Sequence, residues 1–132
     1  MALRSLLLVL ALGLVACDSA DSDTYSADAQ SGEVSIALNE TASLDGMSLT
    51  FEAVVEDSRC PAGVACIWEG QARVSLMAGG QEVTLEVVDP ERRPDRGARV
   101  GGRVLFATRL TPEPTEPRSD ATPVVTVVAF ER

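Results

Sequence analysis

The stretch that decides the fold is ARVSLMAGGQEVTLEV, residues 72–87. Apolar and polar residues alternate on both sides of Gly79-Gly80, and a period of two is typical of a strand with one buried face. A Gly-Gly pair suits a two-residue hairpin turn, because such a turn needs positive φ angles that glycine adopts without strain. The stretch therefore predicts a β-hairpin that turns at Gly79 and Gly80.

This turn fixes a register in which apolar residues pair with apolar residues and polar residues pair with polar residues. The apolar pairs are Leu76 with Val83, Val74 with Leu85 and Ala72 with Val87. The polar pairs are Ser75 with Thr84 and Arg73 with Glu86, the second of opposite charge. A slip of one residue would align apolar with polar residues throughout, so the hydrophobic pattern specifies the register strongly.

Further strands flank the hairpin. They are predicted at residues 33–38 (EVSIAL), 47–56 (MSLTFEAVVE), 103–110 (RVLFATRL) and 123–130 (PVVTVVAF). In the second of these, Met47, Leu49, Phe51, Ala53 and Val55 form the apolar face. No segment has the apolar stripe of a helix. Short strands joined by Gly- and Pro-rich turns predict an all-β fold, a small antiparallel β-sandwich or barrel-like variant; the Cys, Trp and Cys spacing of immunoglobulin domains is absent.

The beginning of the chain has the layout of a secretory signal. Arg4 precedes the apolar run LLLVLALGLV at residues 6–15, which is shorter than the roughly 20 residues that span a bilayer. The run leads into Leu14-Val15-Ala16-Cys17, which resembles a bacterial lipobox. The resemblance implies cleavage before Cys17 and acylation of that residue, so that residues 1–16 are a signal peptide. An ordinary signal peptide with a chance cysteine is the alternative.

Residues 17–32 are predicted to be the acylated cysteine and an acidic flexible tether, because small polar residues bury too little apolar area to order themselves. The β-sandwich domain is then residues 33–132. Acidic residues directly after Cys17 resemble surface-export signals in some bacteria and inner-membrane retention signals in others, so the leaflet stays open. The expected location is the extracytoplasmic cell envelope, with the membrane as a partner through the lipid anchor.

The formal net charge is −9. This charge argues against nucleic-acid binding, which needs a basic face. An Arg-rich segment at residues 89–102 holds Arg92, Arg93, Arg96 and Arg99. It is interpreted as a solvated loop that keeps strand edges apart, with contact to lipid phosphate or an acidic glycan as the alternative. Residues 111–123 (TPEPTEPRSDATP) are expected to form a stiff surface connector.

The most informative motif is DSRCPAGVACIWEG, residues 57–70. With Cys17 acylated, Cys60 and Cys66 remain as a pair, and outside the cytoplasm such a pair predicts a disulfide. Pro61 and Gly63 allow a tight turn between the sulfurs. Trp68 is expected to pack over the bridge or to close the end of the core, and Gly70 to allow the turn into the next strand.

This motif resembles one found in small bacterial lipoproteins of β-rich design. The matching residues are Asp57, Ser58, Arg59, Cys60, Pro61, Cys66, Trp68 and Gly70. The resemblance covers the motif, its flanking strands and the lipobox. It implies a signature loop shared by a family and brings no established activity.

Three interpretations of the loop remain open. In the first, it is a disulfide-stapled connection in which Asp57 caps the turn and Arg59 pairs with a carboxylate. In the second, it is a recognition loop for an envelope protein or glycan, or an inhibitor loop, with contacts from Arg59, Pro61, Ala62, Gly63, Val64, Ala65 and Trp68. In the third, it serves metal or redox chemistry. Two thiolates without a histidine or further soft ligand make a poor metal site.

Catalysis is not expected. The chain contains no histidine, which removes Ser-His and Cys-His pairs. Glu52, Glu56, Asp57 and Glu69 are the candidates for a carboxylate pair, but the strand pattern directs them to solvent. We therefore expect a non-catalytic structural or binding module of the envelope or cell surface, without cofactor or metal.

Overall fold

The structure is a computed structural model that describes residues 30–115 and 117–131. The predicted signal peptide and the residues that resemble a lipobox, Cys17 included, lie outside these residues. The strands are β1 (Gln30–Ala37), β2 (Thr41–Leu44), β3 (Met47–Asp57), β4 (Ala72–Ala78), β5 (Gln81–Glu86), β6 (Ala98–Val100), β7 (Arg103–Thr111) and β8 (Val124–Glu131). β1 begins inside the segment predicted to be tether, three residues before the predicted domain boundary.

The strands form two four-stranded antiparallel sheets, in the orders β1-β8-β7-β6 and β2-β3-β4-β5. This confirms the predicted all-β fold and small β-sandwich. The main core lies between the sheets, because buried residues of both belong to one cluster, Leu49, Phe51 and Leu76 from one sheet and Leu105 and Val127 from the other. Among the described residues there is no α-helix, only one 3-10 turn at Pro94–Arg96.

The predicted hairpin is confirmed. β4 and β5 pair Leu76 with Val83, Val74 with Leu85, Ser75 with Thr84 and Arg73 with Glu86, and the amide of Val87 donates to the carbonyl of Ala72. The expected Arg73–Glu86 ion pair does not form across this register. Arg73 binds Glu56 on β3 at 2.9 Å instead, and the Glu86 carboxylate lies 3.3 Å from Arg96.

The predicted alternation along β3 holds for Leu49 and Phe51 and fails beyond them. Register shifts between Phe51 and Ala53 and between Val54 and Glu56 insert extra residues opposite β4. Each such bulge reverses the face to which the following side chains point. Ala53 and Val55 are therefore exposed, and Val54 takes the inward position.

The Arg-rich segment is more ordered than a solvated loop. It contains β6, which pairs with β7, and Gly97 lies against Val104 and Phe106 on the outer face of that sheet. A second small core forms on this face from Val104, Phe106, Val128 and Phe130. Burial on both faces explains why the sequences of β7 and β8 are nearly continuous apolar runs.

Carboxylates accompany the arginines of this segment. Arg92 pairs with Asp89, Arg93 with Asp95, and Arg96 with both Asp95 and Glu86. The hydrogen bond from Arg93 holds the pKa of Asp95 below its ordinary value. The positive charge of these three side chains is thus largely compensated within the chain.

Candidate functional site

The motif at residues 57–70 forms a loop that joins β3 to β4 at one end of the sandwich. Its two limbs continue the pairing of these strands for a short distance. The Ser58 amide donates to the Gln71 carbonyl at 2.8 Å, and the Cys60 amide donates to the Glu69 carbonyl at 3.1 Å. The Gln71 amide returns a bond to Ser58 Oγ at 3.0 Å. We call residues 60–70 the stapled loop; these bonds form its neck.

The predicted disulfide between Cys60 and Cys66 is present, with the two Cα atoms 6.0 Å apart. Inside the ring the Val64 amide donates to the Pro61 carbonyl at 3.2 Å, which closes the expected turn around Pro61 and Gly63. At the other limb, Gly70 has a φ of +70°. A Cβ at this position would overlap the Ser58 carbonyl, so only glycine lets the two limbs approach so closely.

Asp57 and Arg59 form an ion pair at the base of the loop, which we call the brace. Arg59 Nε donates to Asp57 Oδ1 at 2.8 Å, and Arg59 Nη2 donates to Asp57 Oδ2 at 2.9 Å, a bidentate pair. The Arg59 amide also donates to Asp57 Oδ1 at 3.4 Å. These contacts match the expected pairing of Arg59 with a carboxylate and the expected turn cap by Asp57.

The same pair is electrostatically coupled. The hydrogen bond from the Arg59 guanidinium holds the pKa of Asp57 below its ordinary value, against the opposite effect of partial burial. The bond to Asp57 likewise raises the pKa of Arg59. Each group therefore favours the charged form of the other.

Arg59 also ties the loop to the opposite sheet. Its Nη1 donates to the Leu110 carbonyl at 2.8 Å and its Nη2 to the Pro112 carbonyl at 3.2 Å, while the Glu113 carboxylate lies 3.6 Å from Nη1. Nearby, the Ala62 amide donates to the Pro114 carbonyl at 3.3 Å. All three guanidinium nitrogens have acceptors within the chain, so Arg59 serves the base of the loop.

A cleft of about 290 Å³ lies beside this brace. Its walls come from the end of β3 and the start of the motif, from Leu110 at the end of β7, and from described residues of the connector predicted at residues 111–123. The lining is rich in proline, namely Pro61, Pro112, Pro114 and Pro123. The charged groups around it are Asp57, Arg59, Glu113 and Arg118, and two of these are committed to the brace.

The outer part of the stapled loop exposes large apolar side chains. Ile67 is 94% exposed, Trp68 72% and Val64 45%; we call these three residues the apolar tip. The expectation that Trp68 packs over the disulfide or closes the core is wrong, because the neck pairs Glu69 with Cys60 and leaves the residues before it outside the fold. Ile67 was missed, although its place between Cys66 and Trp68 in a loop was a visible signal.

The other residues predicted to make contacts lie partly at the base of the loop and partly on its exposed surface. Ala62, Gly63 and Ala65 are exposed with the tip, and Pro61 is half-buried at the cleft. Of the candidate carboxylates, Glu52 and Glu69 are exposed, while Glu56 accepts hydrogen bonds from Arg73 and Gln71 at 2.9 and 3.1 Å. These contacts place Glu56 and Asp57 in separate ion pairs.

Two features are absent from the described residues. No group of three or more Cys, Asp or Glu side chains is arranged to hold a metal ion there. No helix in that part of the chain is long and apolar enough to cross a membrane.

Comparison of the chain with protein-family models, with curated proteins and with solved structures found no match. The resemblance of the motif to small bacterial lipoproteins therefore stays a prediction.

Proposed function

We propose that the protein is a lipid-anchored, non-catalytic binding module of the bacterial envelope or cell surface. It recognises a partner through the apolar tip of the stapled loop. The sandwich and the brace hold the loop, and the acylated Cys17 attaches the module to a membrane.

The observation that supports this most is where the exposed apolar groups lie. The large hydrophobic side chains exposed among the described residues are Val55, Val64, Ile67 and Trp68. Single exposed apolar side chains are common and need no explanation. Here three of the four fall within five residues of one loop, and the fold uses none of the three in its core. Such clustering is typical of an interaction site.

The rigidity of the base supports recognition over a purely structural role for the whole loop. A disulfide, a paired neck and the Arg59 brace fix the tip before any partner arrives. A loop that is already ordered loses less conformational entropy on binding. Tryptophan is also among the residues most enriched at the energetic centres of interfaces.

The proposed location at a membrane rests on the sequence. Arg4, the apolar run at residues 6–15 and the box ending at Cys17 predict export and acylation. A module with several acyl chains would stay attached, because each buried methylene contributes about 0.8 kcal/mol.

An inhibitor is the particular case in which the partner is a hydrolase whose cleft accepts the tip. Two consecutive exposed apolar residues, Ile67 and Trp68, directly after the disulfide-closed ring are the observation that favours this case. The experiment below would identify such a partner directly.

Photo-cross-linking in bacterial cells that export the full chain tests the proposal. A photoreactive residue replaces Ile67 in one variant and Gln81, which is exposed and begins β5, in the control. We expect a discrete adduct from position 67 and none of that mass from position 81. The absence of any adduct from position 67, or the same adduct from both positions, would contradict the proposed function.

A further inference from the structure

The stapled loop and the membrane tether leave opposite ends of the sandwich. At the start of β1, Gln30 pairs with Phe130 near the end of β8, whereas Ala37 at the end of β1 pairs with Val124 at its start. Gly32 lies close to Asp45 in the turn between β2 and β3. We call this the tether end, and it also holds the turn at Gly79, which approaches Met47.

The stapled loop lies at the other end. Asp57 at the end of β3 pairs with Ala72 at the start of β4. Thr111 at the end of β7 pairs with Val124, and Arg59 joins these two groups through the Leu110 carbonyl. We call this the loop end.

The separation of the two ends determines how the domain must be oriented for the tip to reach the membrane. The eight residues of β8 cover most of the distance, about 24 Å at 3.4 Å per residue. Between Cys17 and Gln30 the full extension of the chain is roughly 45 Å. To lay the tip on the membrane that holds Cys17, the domain would have to invert and the tether would have to run back along the whole sandwich. We call the domain upright when its tether end faces the membrane. In this orientation no extension of the tether is required.

The negative charge of the chain also favours an orientation in which the tip points away from the membrane. The tip is followed at once by the exposed Glu69, and the chain carries a formal net charge of −9. An anionic lipid surface repels such a module, whereas a pocket with basic groups at its rim attracts it. The eight residues 61–68 contain no charged side chain, so the tip itself suits an apolar pocket.

We propose that the tip points away from the membrane that carries the acyl chains and docks into a concave apolar pocket with a basic rim on another protein. This inference rests on the proposed function and names the class of partner and the direction of approach. Ile67 and Trp68 enter the pocket, and Glu69 meets the rim.

The orientation can be measured with the protein's own tryptophan, since Trp68 is the only one. The acylated full chain is reconstituted into vesicles of zwitterionic and anionic phospholipids, with and without bromine on the acyl chains. We expect Trp68 emission to be equal in vesicles with and without bromine. We also expect acrylamide in the aqueous phase to quench this emission fully. Loss of emission in the brominated vesicles alone would show that the tip enters the anchoring bilayer and would overturn the inference.

A shortened tether gives an independent test in cells. Deletion of residues 20–27 removes roughly 28 Å of reach, while the lipobox and β1 stay intact. We expect the adduct from the photoreactive residue at position 67 to persist, because an upright domain does not need the extra length. Loss of the adduct on shortening would contradict the orientation. An absence of adducts already at full length would contradict the proposed function instead.

Charge reversal tests the rim. Glu69→Arg is expected to weaken recovery of the cross-linked partner about tenfold, since a charge at the edge of an interface contributes mainly to attraction and association rate. Glu82→Arg, an exposed acid on β5, is the matched control and is expected to have no effect. Stronger capture by Glu69→Arg, or equal effects of both variants, would overturn the basic rim.

Discussion

The guanidinium of Arg59 donates to the carbonyl of Leu110, 51 residues later in the chain, at 2.8 Å. This bond joins the base of the stapled loop to the end of β7 in the other sheet. Because Arg59 also holds Asp57 with two parallel bonds, one side chain connects the last residue of β3, the loop and the segment after β7. The position of the apolar tip relative to the sandwich depends on this side chain.

Replacing Arg59 tests the brace. Arg59→Ala leaves the partly buried Asp57 carboxylate without its partner and removes the donors to Leu110 and Pro112. We expect the free energy of unfolding to fall by about 2–3 kcal/mol. Arg59→Lys should recover only part of this loss, because an ammonium group cannot reproduce the planar fork. Arg92→Ala is the control: its exposed pair with Asp89 is expected to matter by less than about 0.5 kcal/mol. Equal effects at both positions in urea unfolding would contradict the brace.

Asp57 predicts a specific dependence of stability on pH. Its pKa in the folded protein lies below the ordinary value of 3.8, chiefly because of the hydrogen bond from Arg59. As pH falls through 3.8, the unfolded chain takes up a proton that the folded chain resists, so stability decreases toward acid pH. Above pH 5 this contribution is fully present. Asp57→Asn should be less stable at pH 7, with a shallower decline below pH 4. Parallel curves for both proteins in chemical unfolding would show that the pair is not coupled to folding.

Two glycines of the loop should respond differently to alanine. Both have positive φ, but a Cβ at Gly70 meets the Ser58 carbonyl, whereas one at Gly63 meets open space. Gly63→Ala should therefore cost about 1 kcal/mol for its backbone conformation alone, and Gly70→Ala clearly more. Thermal unfolding of the two variants measures the difference. A Gly70→Ala protein as stable as Gly63→Ala would mean that the neck is not closed as described.

The disulfide should stabilise the fold modestly. For so short a ring the chain-entropy model gives about 2 kcal/mol, so replacing Cys60 and Cys66 together by Ala should lower the unfolding midpoint accordingly. The Arg59 brace and the neck hydrogen bonds remain, and the variant is expected to fold. Wild-type protein from the envelope should yield no free thiol at either position; free thiols at both would contradict the staple.

The hairpin could be predicted from the sequence because each local signal agreed with the others. Gly79-Gly80 fixed the turn, and the alternation of Val74, Leu76, Val83 and Leu85 fixed the face. β3 could be predicted only in its first half. The bulges near Ala53 and Val55 depend on how β3 meets β4, and no local pattern announces them. β2 and β6 are too short to show a period of two.

At the site, the sequence predicted covalent and local contacts and missed the long-range ones. The disulfide and the pairing of Arg59 with a carboxylate follow from residue types within two to six positions of each other. The bonds from Arg59 to Leu110 and Pro112 do not, since they join segments about fifty residues apart. Trp68 was expected to pack inward because it lies two residues after Cys66 and has a large aromatic side chain. Its exposure follows from the short neck that pairs Cys60 with Glu69.

The most direct test of the account separates the tip from the fold. Ile67→Ser with Trp68→Ser should change the free energy of unfolding by less than about 0.5 kcal/mol, because both side chains are exposed. The same variant should bind the cross-linked partner at least about 30-fold more weakly, the effect of losing roughly 2 kcal/mol at a central contact. Val55→Ser, another exposed apolar residue on β3, is the control and should change neither quantity.

The decisive measurement is therefore paired: chemical unfolding and partner affinity on the same preparations of wild type, double variant and control. We expect superimposable unfolding curves for the three proteins and loss of binding in the double variant only. Undiminished affinity in the double variant, or a loss that follows a lowered unfolding midpoint, would contradict the claim that the tip serves recognition.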